Sequence, residues 1–182
     1  MSDFPVLQTA RLILNQPVEQ DLENLVYFLN QTAAFSENTL SMPFPYEEKD
    51  ARKWFEMCRE GFEAKTNYIF GIRLKDDLKL IGGIGLHIVP KHHKAELGFW
   101  LAKDYWNRGI VTEAAAEVMN FGFHTLGLNK IFAMFFPHNP ASGKILEKLG
   151  MRKEGVLRQE ILQNSEFFDL ERYSACRSEK SL

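Results

Sequence analysis

The sequence predicts a single domain of α/β (α+β) class, in which a mixed, mostly antiparallel sheet of about seven strands carries helices on both faces. The chain has 182 residues, of which 45% are hydrophobic and 13% aromatic, and this is enough for one packed core. Strand-like segments at 68–74, 80–89 and 95–101 follow one another through short connections, which favours antiparallel pairing. A strand, a helix and a strand then follow at 95–101, 110–126 and 131–136, which favours a parallel pair.

The spacing of apolar residues separates strands from helices along the chain. Short runs rich in Ile, Val, Leu and Phe predict strands, whereas apolar residues three and four apart predict helices. Strands are predicted at 11–14, 68–74, 80–89, 95–101, 131–136, 152–161 and 167–176. Helices are predicted around Leu22, Leu25, Val26 and Leu29, and at 47–64, 110–126 and 140–149. No linker or internal repeat interrupts this order, so we expect one domain over residues 1–182.

Bulk composition argues against several classes of partner. The chain carries 22 basic and 24 acidic residues, a net charge of −2, so we expect neither nucleic acid nor a membrane surface as a partner. The first residues lack the pattern of a secretion signal, and no apolar run approaches the roughly 18 residues of a membrane span. We therefore expect a cytoplasmic protein, in which Cys58 and Cys176 are reduced packing residues.

Short motifs for other kinds of site find no support. Gly82, Gly83 and Gly85 lie in a strand that leads to another strand, unlike the glycines of a dinucleotide fingerprint. Neither Gly-x-x-x-x-Gly-Lys-Ser/Thr nor His-Glu-x-x-His occurs. His92 and His93 fall at a hairpin tip, where adjacent side chains diverge, so we expect a solvated turn and no metal site.

One segment between a strand and a helix has the form of an anion site. It reads Tyr-Trp-Asn-Arg-Gly-Ile-Val-Thr-Glu-Ala and covers residues 105–114. The first N–H groups of a helix lack an internal partner, and Gly109 permits a turn tight enough to aim them at one anion. The pattern therefore predicts a site for the phosphates of a nucleotide-type cofactor.

Three segments together resemble the GCN5-related N-acetyltransferases (GNAT), a family that carries acetyl groups from acetyl-coenzyme A to amines. Trp-Asn-Arg-Gly-Ile-Val at 106–111 is similar to the family's pyrophosphate loop, Gln/Arg-x-x-Gly-x-Gly/Ala. Residues 139–151, from Asn-Pro-Ala-Ser to Leu-Gly-Met, are similar to its coenzyme-arm segment. Ala-Glu-Leu-Gly-Phe-Trp-Leu at 95–101 looks like its central strand. The resemblance spans nearly the whole chain.

Further residues resemble one branch of this family. Thr9-Ala10-Arg11-Leu12 and Tyr105-Trp106 are similar to enzymes that acetylate protein N-termini, typified by the ribosomal-protein (Rim-type) enzymes. The resemblance implies a GNAT-like domain with a splayed parallel strand pair, acetyl-coenzyme A as co-substrate, and a homodimer as a common assembly. It implies a role in coenzyme binding for Trp106, Asn107, Arg108, Gly109, Ile110, Val111, Thr112 and Asn139, the last through the pantetheine arm.

The resemblance also implies two catalytic residues. Glu96 lies where family members often place a carboxylate general base, and an ordinary structural ion pair is its alternative role. Because a glutamate near pKa ~4.3 is a weak base for an amine near ~8, Glu96 would need burial or a bridging water. Leu146 stands where many members keep a tyrosine that protonates the departing thiolate. Ser142 is the candidate for that role, with helix capping as its alternative.

The acceptor is the least defined expectation. Residues 31–46, an irregular connection, and the turn at 160–168 with Asn164 and Glu166 are the expected substrate walls by family analogy. The expected reaction is acetyl transfer to a primary amine, foremost a protein N-terminal α-amine, whose pKa lies about 2.5 units below that of lysine. Polyamines, amino sugars and antibiotics stay open as acceptors. A non-catalytic acyl-coenzyme A sensor or interaction module is the alternative from another class.

Overall fold

One sheet runs through the part of the chain that the structure, a computed structural model, describes, namely residues 3–39 and 42–179. Its eight strands are β1 (Leu7–Gln8), β2 (Leu12–Asn15), β3 (Asn67–Leu74), β4 (Leu80–Val89), β5 (Lys94–Leu101), β6 (Lys130–Phe135), β7 (Arg152–Gln163) and β8 (Glu166–Cys176). They lie in the order β1-β2-β3-β4-β5-β6-β8-β7. The helices are α1 (Leu22–Leu29), α2 (Ala34–Asn38), α3 (Glu48–Glu63), α4 (Ile110–His124) and α5 (Pro140–Lys148).

The predicted class and element order are confirmed, with two additions. The sheet has eight strands and not about seven, because β1 is only two residues long and too short to show a period. The connection at 31–46, predicted to be irregular, contains the five-residue helix α2. As predicted, the sheet is antiparallel apart from the parallel pair β5–β6.

The parallel pair separates part of the way along its length. Pairing runs from Lys94 opposite Lys130 to Glu96 opposite Phe132. Both strands continue, β5 to Leu101 and β6 to Phe135, without further pairing between them. The carboxyl ends of two neighbouring parallel strands are therefore splayed, and ligands bind beyond this end of a parallel pair in many α/β proteins.

Helices cover both faces of the sheet. On one face, Gly122 of α4 lies so close to Leu86 and Ile131 that a Cβ on Gly122 would come within 2.9 Å of each. On the other face, α1 and α3 pack on β3 and β4. Since side chains alternate along a strand, Leu86 faces α4 while His87 faces α1 and α3. Two-sided burial explains why most of β4 is apolar or glycine.

A buried ion pair ties the first elements together. Arg73 of β3 donates to both carboxylate oxygens of Asp21, at 2.7 and 2.6 Å, and both side chains are nearly inaccessible. The same guanidinium donates to Asn15 Oδ1 at 2.8 Å and to the Leu78 carbonyl at 2.9 Å. Loss of one partner would leave a buried charge without compensation, so this cluster fixes the start of α1 against the sheet.

Within the described ranges, no helix is long and apolar enough to cross a membrane.

Candidate active site

A cleft of about 580 Å³ lies at the splayed end of β5. Its walls are the end of β5, residues 105–112, α5 with Asn139 before it, and α2. We call it the loop cleft. The two segments that the sequence linked to a cofactor, 106–112 and 139–142, thus face each other across one space.

The start of α4 presents free backbone donors to the loop cleft. Asn107 and Gly109 both have positive φ, 59° and 72°, which turns the chain sharply before the helix. The first hydrogen bond within the helix runs from the Glu113 N–H to the Gly109 carbonyl at 3.0 Å. The N–H groups of Ile110, Val111 and Thr112 therefore have no acceptor among the described residues. Free N–H groups at a helix N-terminus are an arrangement that can bind an anion.

The side chains of the predicted loop residues have different surroundings. Ile110 and Val111 are buried, so only their backbones are available to a ligand. The indole N–H of Trp106 donates to the Leu101 carbonyl at 2.6 Å, which fixes the loop to the end of β5. The Arg108 guanidinium lies over the ring of Tyr105, 5.5 Å from its centroid, and remains exposed.

The charge of the loop cleft suits a polyanion. Arg108, Lys144 and Lys148 line it, and its lining contains neither Asp nor Glu among the residues described. Positive potential in a concave site raises the local concentration of an anionic ligand.

Arg11 fixes the loop from the other side, and sequence reasoning missed this role. Its Nη1 donates to the Arg108 carbonyl at 3.0 Å, while Nε and Nη2 bind the Glu113 carboxylate at 2.7 and 2.6 Å. The Thr9 hydroxyl donates to the same carboxylate at 2.5 Å. In the sequence, Thr9-Ala10-Arg11-Leu12 shows only a family resemblance; its spacing carries no sign that it reaches residues about a hundred positions away.

Glu113 stays charged and neutralised in this network. Partial burial acts to raise the pKa of Glu113, but the hydrogen bonds from Thr9 and Arg11 outweigh it and hold the pKa below its usual range. A carboxylate at the start of α4 would otherwise repel an anion at the same helix end. Arg11 removes that repulsion while it holds the loop.

Asn139 and Ser142 form a reciprocal pair at the start of α5. Asn139 is the N-cap, and its Oδ1 accepts from the Ser142 N–H at 3.4 Å. Its Nδ2 donates to Ser142 Oγ at 3.1 Å, which leaves the hydroxyl proton of Ser142 free to donate elsewhere. Both residues line the loop cleft, so Ser142 takes part in the cap and also faces the site.

Glu96 does not line the loop cleft. It is the last residue of β5 that pairs with β6, and it is only partly buried. Burial raises the pKa of Glu96, and the nearby Arg172 acts in the opposite direction. The structure therefore places Glu96 at the point where the strands begin to separate.

A second cavity, of about 330 Å³, lies on the sheet face that α1 and α3 cover. We call it the front cavity. Gly83, Gly85 and Gly98 form part of its floor, and residues of α1 and α3 form its roof. Phe99 and Trp100 line both the front cavity and the loop cleft. The two spaces therefore meet at the end of β5.

His87 is a second titratable residue that the sequence did not single out. It pairs across the sheet with Glu96, so the two side chains share a face, with Cβ atoms about 4.5–5.5 Å apart. His87 Nδ1 lies 2.9 Å from Asn67 Oδ1, which requires the proton on Nδ1 and leaves a lone pair on Nε2. Desolvation by the surrounding protein lowers the pKa of His87, so the neutral ring is favoured.

The two predicted substrate walls touch each other. Gln163, at the end of β7, donates to the carbonyls of Ser36 and Thr39 at 3.2 and 3.3 Å. Between them lies an open groove of about 710 Å³ that shares Met42 and Pro43 with the front cavity. Leu40 and Ser41, which belong to the predicted wall, lie outside the described residues. Asn164 lines this groove and Glu166 does not.

Leu146 is part of the hydrophobic core, only 1% exposed. It is not among the residues that line either cavity. The described residues also contain no cluster of three or more His, Cys, Asp or Glu that could hold a metal ion.

Comparison with known proteins gives consistent matches over the same region. The model of the acetyltransferase (GNAT) domain matches residues 11–152. The uncharacterized N-acetyltransferase YoaA of Bacillus subtilis (strain 168) is 35% identical over 176 residues, 94% of this chain and 96% of that protein. The [ribosomal protein uS5]-alanine N-acetyltransferase of Escherichia coli (strain K12) is 26% identical over 115 residues, 62% of this chain and 59% of that protein.

A solved structure shows the same fold. RimL, a ribosomal L7/L12 α-N-protein acetyltransferase crystallised with coenzyme A, superposes with a TM-score of 0.86 over 97% of this chain and 100% of that one. Its sequence identity is 16%, so this likeness concerns the fold alone.

Proposed function

The chain belongs to the GNAT family of acetyltransferases, and on that premise we propose that it transfers the acetyl group of acetyl-coenzyme A to the α-amine at the N-terminus of a protein or peptide. As a member of this family it is an acyltransferase. The observation that supports the proposal most is the meeting of the loop cleft and the front cavity at Phe99 and Trp100. Two substrates can enter from opposite sides and touch there.

The loop cleft fits the coenzyme in its donors and its charge. The free N–H groups at 110–112 suit the pyrophosphate, and each such bond to a charged acceptor contributes roughly 1.5–3 kcal/mol. Arg108, Lys144 and Lys148 suit the remaining negative charge, and Asn139 suits an amide of the pantetheine arm. What the coenzyme supplies when bound is a thioester whose acetyl carbon an amine can attack.

We assign the proton of the attacking amine to Glu96 through a bridging water, with the free Nε2 of His87 as an alternative acceptor. Glu96 is not among the residues that line either cavity, whereas His87 lines the front cavity with a free Nε2. The raised pKa of Glu96 makes it a stronger base than an ordinary glutamate. An N-terminal α-amine suits such a base, because its pKa is about 2.5 units lower than that of lysine.

We propose that the Ser142 hydroxyl donates a hydrogen bond to the departing thiolate. Its hydroxyl accepts from Asn139 and keeps its own proton available on the side of the loop cleft. A hydroxyl donor stabilises a developing negative charge by a hydrogen bond, even where it does not transfer its proton.

The proposed acceptor is supported by the relatives' own activities. One relative is named a [ribosomal protein uS5]-alanine N-acetyltransferase, and the fold is shared with an α-N-protein acetyltransferase. The second candidate is a non-catalytic acyl-coenzyme A sensor. It is favoured by the buried Leu146, which offers no phenol at the position where many family members have a tyrosine.

The proposal is tested by two measurements on the purified protein. Calorimetric titration should show binding of acetyl-coenzyme A, and coenzyme A release should rise when peptides with free N-termini are added. Binding without turnover of any amine would favour the sensor. Failure to bind acetyl-coenzyme A would overturn both candidates.

A further inference from the structure

We propose that the front cavity holds a large apolar side chain next to the acceptor amine, so that the substrate is an α-amine on a residue of the leucine or phenylalanine type. This inference rests on the proposed function and narrows its acceptor. A polyamine, with several ammonium groups, does not match this lining, which contains a single carboxylate among the described residues.

The floor of the front cavity is open above Gly98, whereas Ile69 closes the space above Gly85, where a Cβ would meet it at 2.8 Å. Gly98 of β5 lies opposite Gly85 of β4. A Cβ on Gly98 would meet nothing closer than His87 Nε2 at 3.8 Å, so the space above Gly98 is free. Gly98 is two residues from Trp100, which also lines the loop cleft. An amine above Gly98 therefore lies beside the point where the acetyl group would arrive.

The roof and sides of the cavity are apolar. Side chains from α1, α3 and β3 supply most of this surface, among them Leu25, Leu29, Trp54, Met57 and Ile69. At about 330 Å³ the cavity is at the small end of the range for ligand sites, which is about 300–1,000 Å³. It has room for one group of amino-acid size. The transfer of an apolar group of this size from water into the cavity is favourable.

The charges around the cavity provide for one ammonium group and not for several. Among the described residues that line it, Asp50 is the single carboxylate, and its Oδ2 already accepts the Glu47 N–H at 3.0 Å. Lys53, also in the lining, offsets its charge. A polyamine carries several ammonium groups, and each would need a carboxylate partner once it left water.

The rest of a peptide has a way out of the cavity. The groove between residues 42–44 and the turn after β7 shares Met42 and Pro43 with the front cavity. A chain whose first side chain occupies the cavity can continue along this groove. The acceptor can therefore be longer than a single amino acid.

The test compares four acceptors on the wild-type enzyme by mass spectrometry of their acetylated products. Three are peptides that differ only in an N-terminal Leu, Phe or Ala, and the fourth is spermidine. We expect kcat/KM for the Leu and Phe peptides to exceed that for the Ala peptide by about tenfold or more, since apolar pockets discriminate by about 10–200-fold per methylene. Spermidine should be poorer than the Ala peptide. An Ala peptide or spermidine that equals or surpasses the Leu and Phe peptides would overturn the inference.

A substitution in the cavity lining tests whether the front cavity causes the preference for Leu over Ala peptides. Met57, 40% exposed, lines its rim, so Met57→Glu brings a charge to the apolar wall without disturbing the core. The preference for Leu over Ala should fall at least severalfold, whereas Val6→Glu, which adds the same charge at a residue 59% exposed and outside the cavity lining, should keep it.

Binding gives an independent readout. With coenzyme A present, leucinamide should change the tryptophan fluorescence of the wild type and, more weakly, of Met57→Glu, because Trp54 and Trp100 line the cavity. If acetyl-coenzyme A binds but leucinamide does not, the inference fails while the proposed cofactor role stands. If acetyl-coenzyme A itself does not bind, the proposed function fails.

Discussion

Gly109 shows how one backbone angle shapes the loop cleft. With φ at 72° it adopts the left-handed conformation, which glycine reaches without the steric cost that other residues meet. The sequence predicted the need for glycine at this turn, since a strand, a glycine and a helix start are visible in order. It gave no sign of the second left-handed residue, Asn107, because asparagine also occurs in ordinary loops.

We predict that Gly109→Ala weakens the binding of coenzyme A. The left-handed conformation costs a non-glycine residue about 1–2 kcal/mol, equivalent to about 5–30-fold in affinity if the loop must return to this conformation to bind. Calorimetric titration measures the change.

Gly127→Ala is the matched control for this prediction. Gly127 has φ at 66°, follows the end of α4, and a Cβ placed on it would have no other atom within 4 Å. The variant should lose similar thermal stability and keep the wild-type affinity for coenzyme A. Equal affinity in both variants would show that the loop conformation does not matter for binding.

Glu96 carries the second prediction at this scale. Burial raises the pKa of Glu96, so folding favours its protonated form. The stability that this contributes is present below the ordinary glutamate pKa and is lost as pH rises through the raised pKa. At neutral pH the charged Glu96 therefore costs stability, and Glu96→Gln should not lower the melting temperature.

The same substitution should lower turnover. Loss of a general base typically costs about 10²–10⁴-fold, while the affinity for acetyl-coenzyme A should not change, since Glu96 does not line the loop cleft. Steady-state kinetics with a peptide acceptor, together with thermal melts, measure both effects. Turnover equal to that of the wild type would remove Glu96 from the mechanism.

The surroundings of His87 could not be predicted from the sequence. A lone histidine in an apolar strand has no motif around it. Its importance arises from the register that pairs it with Glu96 and from the hydrogen bond to Asn67, twenty positions earlier. Both depend on how three strands are aligned, which the spacing of apolar residues does not specify.

At the scale of elements, the start of α4 depends on the turn between β1 and β2. Arg11 joins the Arg108 carbonyl to Glu113, so the N-terminal hairpin holds the loop of a helix about a hundred residues away. The sequence predicted both β2 and α4. It could not predict their contact, because strand order and helix placement are set by long-range packing.

We predict that Arg11→Met raises KM for acetyl-coenzyme A by about tenfold and leaves kcat nearly unchanged. The variant releases the Arg108 carbonyl and leaves the Glu113 charge unneutralised beside the free N–H groups at the start of α4. A tenfold change corresponds to about 1.4 kcal/mol, just below the roughly 1.5–3 kcal/mol of a hydrogen bond to a charged group. Initial-rate kinetics at varied acetyl-coenzyme A provide the measurement.

Arg52→Met is the control, since it breaks an exposed pair with Glu48 on α3, and neither residue lines the loop cleft. It should leave KM unaltered. A similar rise in KM in both variants, or a fall in kcat alone in Arg11→Met, would contradict the positioning role of Arg11.

The splay of β5 from β6 is the element-level feature that produces the site. The strand–helix–strand order predicted the parallel pair, and the family resemblance predicted its separation. The residue at which pairing stops, Glu96, could not be read from the apolar pattern, because β5 continues as an apolar strand to Leu101. Two short elements, β1 and α2, were missed for lack of length.

At the scale of the whole molecule, the two cavities are products of different parts of the chain. The loop cleft forms from segments that carry recognisable motifs, so sequence reasoning located it. The front cavity forms from α1, α3, β4 and β5, whose residues look like ordinary core positions until glycines on adjacent strands are paired. Its apolar lining and its junction with the loop cleft at Trp100 became visible only in the fold.

The central claim is that both substrates meet at this junction, and a conjugate that joins them tests it most directly. In this conjugate the sulfur of coenzyme A is linked through an acetyl spacer to the amine of leucinamide. Calorimetric titration should show that it binds about 10²-fold or more tightly than coenzyme A, because the second contact becomes intramolecular. An affinity no higher than that of coenzyme A would show that the two cavities do not serve one reaction.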